Sequence, residues 1–220
     1  MPNTAQTAPG VTGLGRDDLV IRFLNTAAWR LRTPSEERLP DAEALRVWLK
    51  ANDLADPGCL DAISRAWRDD PQRARSLYET AIGLREAIYA ILISRMAGHA
   101  PPDAALHRFN QLLGRAARGG EVQWRSGELV WCVRPQDDDL ALLQPIIVSA
   151  ADLMTGPRCG RVKQCQDDRG CGWLFVDESR AQNRRWCSMG DCGNRAKARR
   201  HYHRSRGEGR PPGRRTEESS

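Results

Sequence analysis

The chain has 220 residues, 40% of them hydrophobic and 28% charged, with seven cysteines and a net charge of +6. That length suits one well-cored domain with a small satellite, and the absence of any apolar stretch of membrane-spanning length argues against a membrane span. The charge is lopsided: residues 158–220 hold 16 Lys and Arg against 8 Asp and Glu, whereas residues 1–157 hold 18 against 20, so an anionic partner is expected for the C-terminal end alone.

Residues 1–15 are rich in Pro, Thr, Ala and Gly and lack the basic start and apolar run of a secretory signal. A disordered leader on a cytoplasmic protein is expected. From Asp17 to Leu31, the residues Val20, Phe23, Leu24, Ala27, Ala28 and Leu31 recur at three and four, which predicts a helix over that span. A second helix is predicted from about Pro40, through Leu45, Trp48 and Leu49, stopping before the breaker Asp56-Pro57-Gly58. Pro71 opens the longest helix, Gln72 to Ala97, with a wide stripe of Leu77, Ala81, Leu84, Ile88, Ile91 and Leu92. Another follows Pro101-Pro102 and ends at Gly119-Gly120. Between Glu121 and Val133 the period changes to two on either side of Ser126-Gly127, a hairpin pattern. Asp137-Asp138-Asp139 then offers a negative cap to a last helix, Leu140 to Met154, which Pro145 should bend or restart.

The remaining signal is in the cysteines. Cys165 and Cys171 enclose five residues, Cys187 and Cys192 enclose four, and fifteen separate the pairs. Two short cysteine loops brought together by a hairpin supply the tetrahedral soft ligands that zinc takes, and so dense a cluster without a signal peptide suits a metal better than disulfides. Glycine follows each second cysteine, at Gly172 and Gly193, where the backbone must turn tightly around the metal. Cys159 with Cys165 as the first pair, and His201 or His203 as a ligand, are alternatives that spacing leaves open. Cys59 and Cys132 stand alone in apolar surroundings and read as core residues. Trp173 to Val176 is predicted as a short strand. A module of this size cannot build much core, so it should melt when zinc is removed.

Asn194 is a suitable N-cap for a helix from Arg195 to Arg204 with almost no apolar face. Arg195, Arg199, Tyr202 and Arg206 fall on one stripe and Lys197, Arg200 and Arg204 on nearly the opposite one. Arg184, Arg185, Arg195, Lys197, Arg199, Arg200 and Arg204 are the candidate nucleic-acid contacts, because long cations on a rigid helix neutralise phosphates and arginine forks onto guanine edges. Duplex DNA is the expected partner. An adaptor that binds an acidic protein is the alternative. No Gly-rich phosphate loop, nucleophile elbow or HExxH run is present, and four cysteines would leave a zinc ion no open position, so no enzyme is expected. In the body, Asn25, Thr26 and Arg85 are the polar residues best placed to hold a small-molecule effector.

The runs Val162-Lys163-Gln164-Cys165, Cys171-Gly172-Trp173-Leu174-Phe175-Val176-Asp177, Asn183-Arg184-Arg185-Trp186-Cys187-Ser188-Met189 and Cys192-Gly193-Asn194-Arg195-Ala196-Lys197 resemble the CGNR zinc-finger family. The resemblance implies Cys165, Cys171, Cys187 and Cys192 as the ligands of one structural zinc ion. The preceding residues, through Phe23-Leu24-Asn25-Thr26, Leu84-Arg85-Glu86-Ala87 and the order of helices and hairpin, resemble the helical ABATE domain. That resemblance implies a stress-linked regulator of transcription. One departure is local: where many members have Ser-Arg-Asn-Arg-Ser, this chain has Ser179-Arg180-Ala181-Gln182-Asn183. The expected architecture is mainly α: leader 1–15, helical domain with one β-hairpin 16–157, four-cysteine finger with a basic helix 158–204, and disordered tail 205–220.

Overall fold

A computed structural model describes residues 17–55, 57–116, 120–125, 128–133 and 139–207. The expected leader, and all but the first three residues of the expected tail, lie outside the described residues. Helix α1 (Asp17–Leu24) buries Leu19, Val20, Phe23 and Leu24. It stops seven residues short of the predicted Leu31 because the Asn25 side chain is captured by a backbone elsewhere: its Nδ2 donates to the Leu174 carbonyl at 2.9 Å and its Oδ1 accepts from the Leu174 N–H at 3.0 Å. The chain then pairs as β1 (Ala27–Ala28) with β2 (Glu36–Glu37). Ala27 and Ala28 are buried, but Leu31 is 59% exposed.

Helix α2 (Ala42–Ala51) is capped by Asp41, whose carboxylate accepts from the Ala44 N–H at 2.8 Å, and it buries Leu45 and Leu49. Helix α3 (Pro57–Asp69) lies where the sequence reads as a breaker. Pro57 opens that helix, since its missing N–H needs no partner in the first turn, and Leu60, Ile63 and Trp67 line one buried face. Asp70 caps α4 (Pro71–Met96) through the Gln72 and Arg73 N–H groups. The buried stripe of α4 matches the predicted one with two additions, Arg85 and Ala87.

Helix α5 (Asp103–Ala116) follows as predicted, and β3 (Gly120–Arg125) pairs with β4 (Glu128–Val133) in the hairpin, Val122 opposite Trp131 and Trp124 opposite Leu129. Asp139 is no cap: it is 6% exposed, accepts from Trp67 Nε1 at 2.9 Å and pairs with Arg73 at 2.5 Å, because burial demands a cation beside it. Asp137 and Asp138 lie outside the described residues. A 3-10 turn, Asp139–Leu143, leads into α6 (Gln144–Thr155), which Pro145 restarts.

One hydrophobic core joins these helices. α4 packs against α1, α2, α3 and α5, and α6 against α1 and α5. The core continues into Cys159, Val162 and Leu174, so the strand pair β5 (Val162–Gln164) and β6 (Leu174–Val176) rests on the helical body, with Lys163 opposite Phe175. The last helix, α7 (Asn194–Gly207), runs three residues beyond its predicted end, into the expected tail. Its first residue does not cap it by accepting from the helix: Asn194 Nδ2 donates backwards to the Gly190 carbonyl at 3.0 Å, across a π turn at Met189–Gly193. Among the described residues no helix is long and apolar enough to cross a membrane.

Candidate metal centre

The loop between β5 and β6 carries Cys165 and Cys171, and the loop entering α7 carries Cys187 and Cys192. Pairing of the strands brings the loops together: the Cys165 N–H donates to the Trp173 carbonyl at 2.8 Å and the Gln166 N–H to the Arg185 carbonyl at 2.9 Å. The four sulfurs all lie within 4.8 Å of one another, with Cys171 to Cys187 at 3.8 Å and Cys187 to Cys192 at 3.6 Å. No disulfide spans such distances. A tetrahedron with Zn–S bonds of about 2.3 Å has edges of about 3.8 Å, so the cage fits one zinc ion. Cys159 is in the large helical core and Cys59 packs against it, His201 is exposed, and the Cys132 and His203 side chains lie outside the described set.

The four sulfurs act strongly on one another's protonation. Hydrogen bonds from the Cys171 and Cys187 thiols, helped by the backbone N–H groups of Cys187 and Asp167, push the Cys165 thiol well below its ordinary value. The contact with the Cys165 sulfur pushes Cys171 and Cys187 up, and burial pushes Cys192 up. Four thiolates at this spacing repel each other, and a dication among them offsets that repulsion. Three of the four cysteines are buried and the donor set is complete, which suits a structural ion.

The small core around the sulfurs contains Phe175, Trp173 and Trp186, and also Trp29 from the N-terminal half of the chain. Trp29 begins a strap laid across the first cysteine loop: the Arg30 N–H donates to the Cys171 carbonyl at 3.1 Å and the Leu31 N–H to the Gly170 carbonyl at 3.2 Å. Gly170 and Gly172 have φ of +86° and +66°, and a Cβ at either would come within 3.3 Å of the Leu31 backbone. Both positions require glycine. Arg30 anchors the strap by pairing with Glu86 of α4 at 2.7 Å and lying 3.9 Å from the Tyr89 ring centroid. The Tyr89 hydroxyl accepts from Gln164 Nε2 at 2.7 Å, tying α4 to β5.

The seven candidate cations are not alike. Arg195 sits at the centre of the finger, with Nη2 2.7 Å from the Cys192 sulfur and 3.0 Å from Asp167, a bond to Asp191, and its guanidinium 5.4 Å from the Trp29 ring centroid. Arg199 reaches Asp167 at 3.4 Å and also pairs with Asp168. Arg184 donates to the Cys187 carbonyl at 3.0 Å and lies over Phe175. Arg185, Lys197, Arg200 and Arg204 are exposed.

Two aspartates organise this surface and do not stand out in the sequence. Asp167 is fully buried; burial pushes its carboxyl up, but the Arg169 N–H and the Arg195 guanidinium outweigh that and hold it below the usual range. Asp177 is likewise buried and likewise lowered, by Lys163, the Ser179 hydroxyl and the backbone N–H groups of Arg184 and Ser179. It gathers the loop in which the chain departs from the family pattern. Asp177 follows a strand and precedes a polar loop, a place where side chains bond local backbone. Asp167 also bonds the nearby Arg169 N–H, but the guanidinium groups it gathers are 28 and 32 residues away and leave no local cue.

Asn25, Thr26 and Arg85 cluster where the strap leaves α1. Asn25 holds β6, the Thr26 hydroxyl donates to the Phe23 carbonyl at 2.7 Å, and Arg85, 3% exposed, donates to Thr26 at 2.9 Å and pairs with Glu37 and Glu86. All three are engaged with groups of the protein itself.

Comparison with known families gives two matches. The ABATE family, described as "Putative stress-induced transcription regulator", matches residues 17–157, and the CGNR zinc finger matches residues 161–205. Neither is an enzyme family. Comparison with curated proteins gives no match.

Proposed function

Because this chain belongs to the ABATE family and carries a CGNR zinc finger, we propose that it is a DNA-binding regulator of transcription, in which a structural zinc ion held by Cys165, Cys171, Cys187 and Cys192 fixes the direction of α7. The observation that carries this reading is the exposed row of cations on a helix that leaves the metal cage directly. A helix with almost no apolar face gains nothing from burial, whereas a polyanion neutralises its charge with release of counterions. When bound, the ion supplies no chemistry beyond holding four thiolates. The cage residues position the helix, and the strap joins that helix to the body.

Regulation would act through the body. Asn25, Thr26 and Arg85 sit at the root of the strap, so an effector that displaced their protein partners would alter the seat of the finger; the DNA-binding reading does not depend on such an effector.

Selection from a random duplex library with the zinc-loaded protein tests the proposal. Enrichment of one motif that is lost in Cys187→Ser supports it. Equal recovery of all sequences at low salt, with no motif, refutes a sequence-reading regulator and favours an acidic protein as the finger's partner.

A further inference from the structure

The seven candidate cations are divided between two opposed surfaces, and we propose that of these only the outward group, Arg185, Lys197, Arg200 and Arg204, meets the phosphates of duplex DNA. This assignment rests on the DNA-binding reading above. On α7, successive residues turn by about 100°, which places Lys197, Arg200 and Arg204 within an arc of about 60° and Arg195 with Arg199 roughly 150° away. The inward pair is consumed by the finger. Arg195 is fixed by Asp167, Asp191, the Cys192 sulfur and Trp29, and Arg199 by Asp167 and Asp168. Arg184, ahead of the second cysteine pair, also turns in, onto the Cys187 carbonyl and the Phe175 ring.

The outward group is continuous. Lys197 and Arg204 are separated by about 10 Å along the helix axis and have no acidic partner among the described residues. Arg185 and Arg200 both sit over the Trp186 ring, at 5.4 and 5.8 Å from its centroid, so the loop before the second cysteine pair extends the same surface. Arg185 uses Nε on Gln166 at 2.8 Å and Arg200 uses Nε on the Ala196 carbonyl at 3.4 Å. Both residues are exposed.

The occupant that fits is a regular double-stranded polyanion. A single-stranded nucleic acid is held chiefly by stacking on aromatic rings, and the indole nearest this surface is already engaged by two guanidinium groups. Acidic residues do not interrupt the patch: Asp167 and Asp168 face the inward arginines, and Asp191 is taken by Arg195.

The experiment is a salt titration of duplex binding by the full-length, zinc-loaded protein, with Arg185→Gln, Lys197→Gln, Arg200→Gln and Arg204→Gln set against Arg195→Gln and Arg199→Gln. Each phosphate contact contributes about 0.9 to the slope of log affinity against log salt, equivalent to about 3.5-fold in affinity between 50 and 200 mM. Each outward variant should therefore flatten the slope by about that amount. Arg195→Gln and Arg199→Gln should leave it unchanged and instead ease zinc release to a chelator. Arg199→Gln, at the less central of the two positions, keeps the comparison informative if Arg195→Gln fails to fold. A steep wild-type slope that Arg199→Gln flattens as much as Arg200→Gln does would overturn the division while leaving DNA binding intact. A wild-type protein with no salt-dependent duplex binding would overturn both, as would tighter binding to single strands for the choice of occupant.

Discussion

Trp29 belongs by sequence to the helical half of the chain and by packing to the metal core, so its truncation should be felt at the zinc ion. Trp29→Ala removes a half-buried indole from the cluster of Cys165, Cys171, Phe175 and Cys192 and withdraws the ring that lies 5.4 Å from Arg195. Full burial would make such a change cost about 3–5 kcal/mol. Half-burial reduces this to about 2 kcal/mol, and the lost cation–π contact adds about 0.5 kcal/mol. The replacement keeps a Cβ at a residue with φ of +52°, so backbone strain is not what changes. Because folding of so small a core and metal uptake are one equilibrium, that loss becomes a weakening of zinc affinity of about 30-fold or more. Chelator competition on the full-length protein measures it. Trp48→Ala serves as control, since that ring lies 5.4 Å from Phe23 in the helical core, away from the cage. A change below threefold in Trp29→Ala, or an equal change in Trp48→Ala, would refute the idea that the N-terminal strap completes the finger.

Cys192→Ser should lose the zinc ion, whereas Cys159→Ser should keep it, because Cys159 lies in the helical core; elemental analysis after desalting decides this. Asp167→Asn should lower the finger's resistance to urea by about 1–3 kcal/mol, read as zinc release, since it weakens charged hydrogen bonds to Arg195 and Arg199. Glu86 gives a pH signature: burial raises its pKa, but the Arg30 bonds and then those of Arg85 outweigh this and leave it lowered. Its contribution is therefore fully present above the unfolded value near 4.3 and is lost as pH falls through the lower folded value. The melting difference between wild type and Glu86→Gln should be constant from about pH 8 to about pH 5 and shrink below that. It should stay under about 1 kcal/mol because Glu86 is 46% exposed; a difference that grows on acidification would contradict the assignment.

The metal cage was legible because a tetrahedral site demands four soft ligands at short spacings, and four of the seven cysteines meet that demand within 28 residues. Helices α4 and α5 were legible for a similar reason, long stripes at one period. Where two rules compete, the local one misleads. Asp56-Pro57-Gly58 has the pattern of a breaker although Pro57 opens α3, and the stripe from Val20 to Leu31 has the pattern of one helix although its second half is a strand and a strap. In the second case the deciding contact, Asn25 to Leu174, spans 149 residues and leaves no local trace. The opposed stripes on α7 were visible as periodicity, but their different roles depend on Asp167, which only folding brings beneath Arg195 and Arg199.

The strap also sets an order on biosynthesis. Asn25 emerges from the ribosome 149 residues ahead of Leu174, a delay of roughly 7 to 30 s at ordinary elongation rates. Through that interval the nascent helices must leave Asn25, Trp29 and the Arg30 and Leu31 amides without their native partners. Metal capture then comes last, after Cys192 is made, and orders the cysteine loop on which the strap rests. A shortage of zinc during translation would therefore leave a nearly finished chain with its first-made segment exposed to chaperones and proteases.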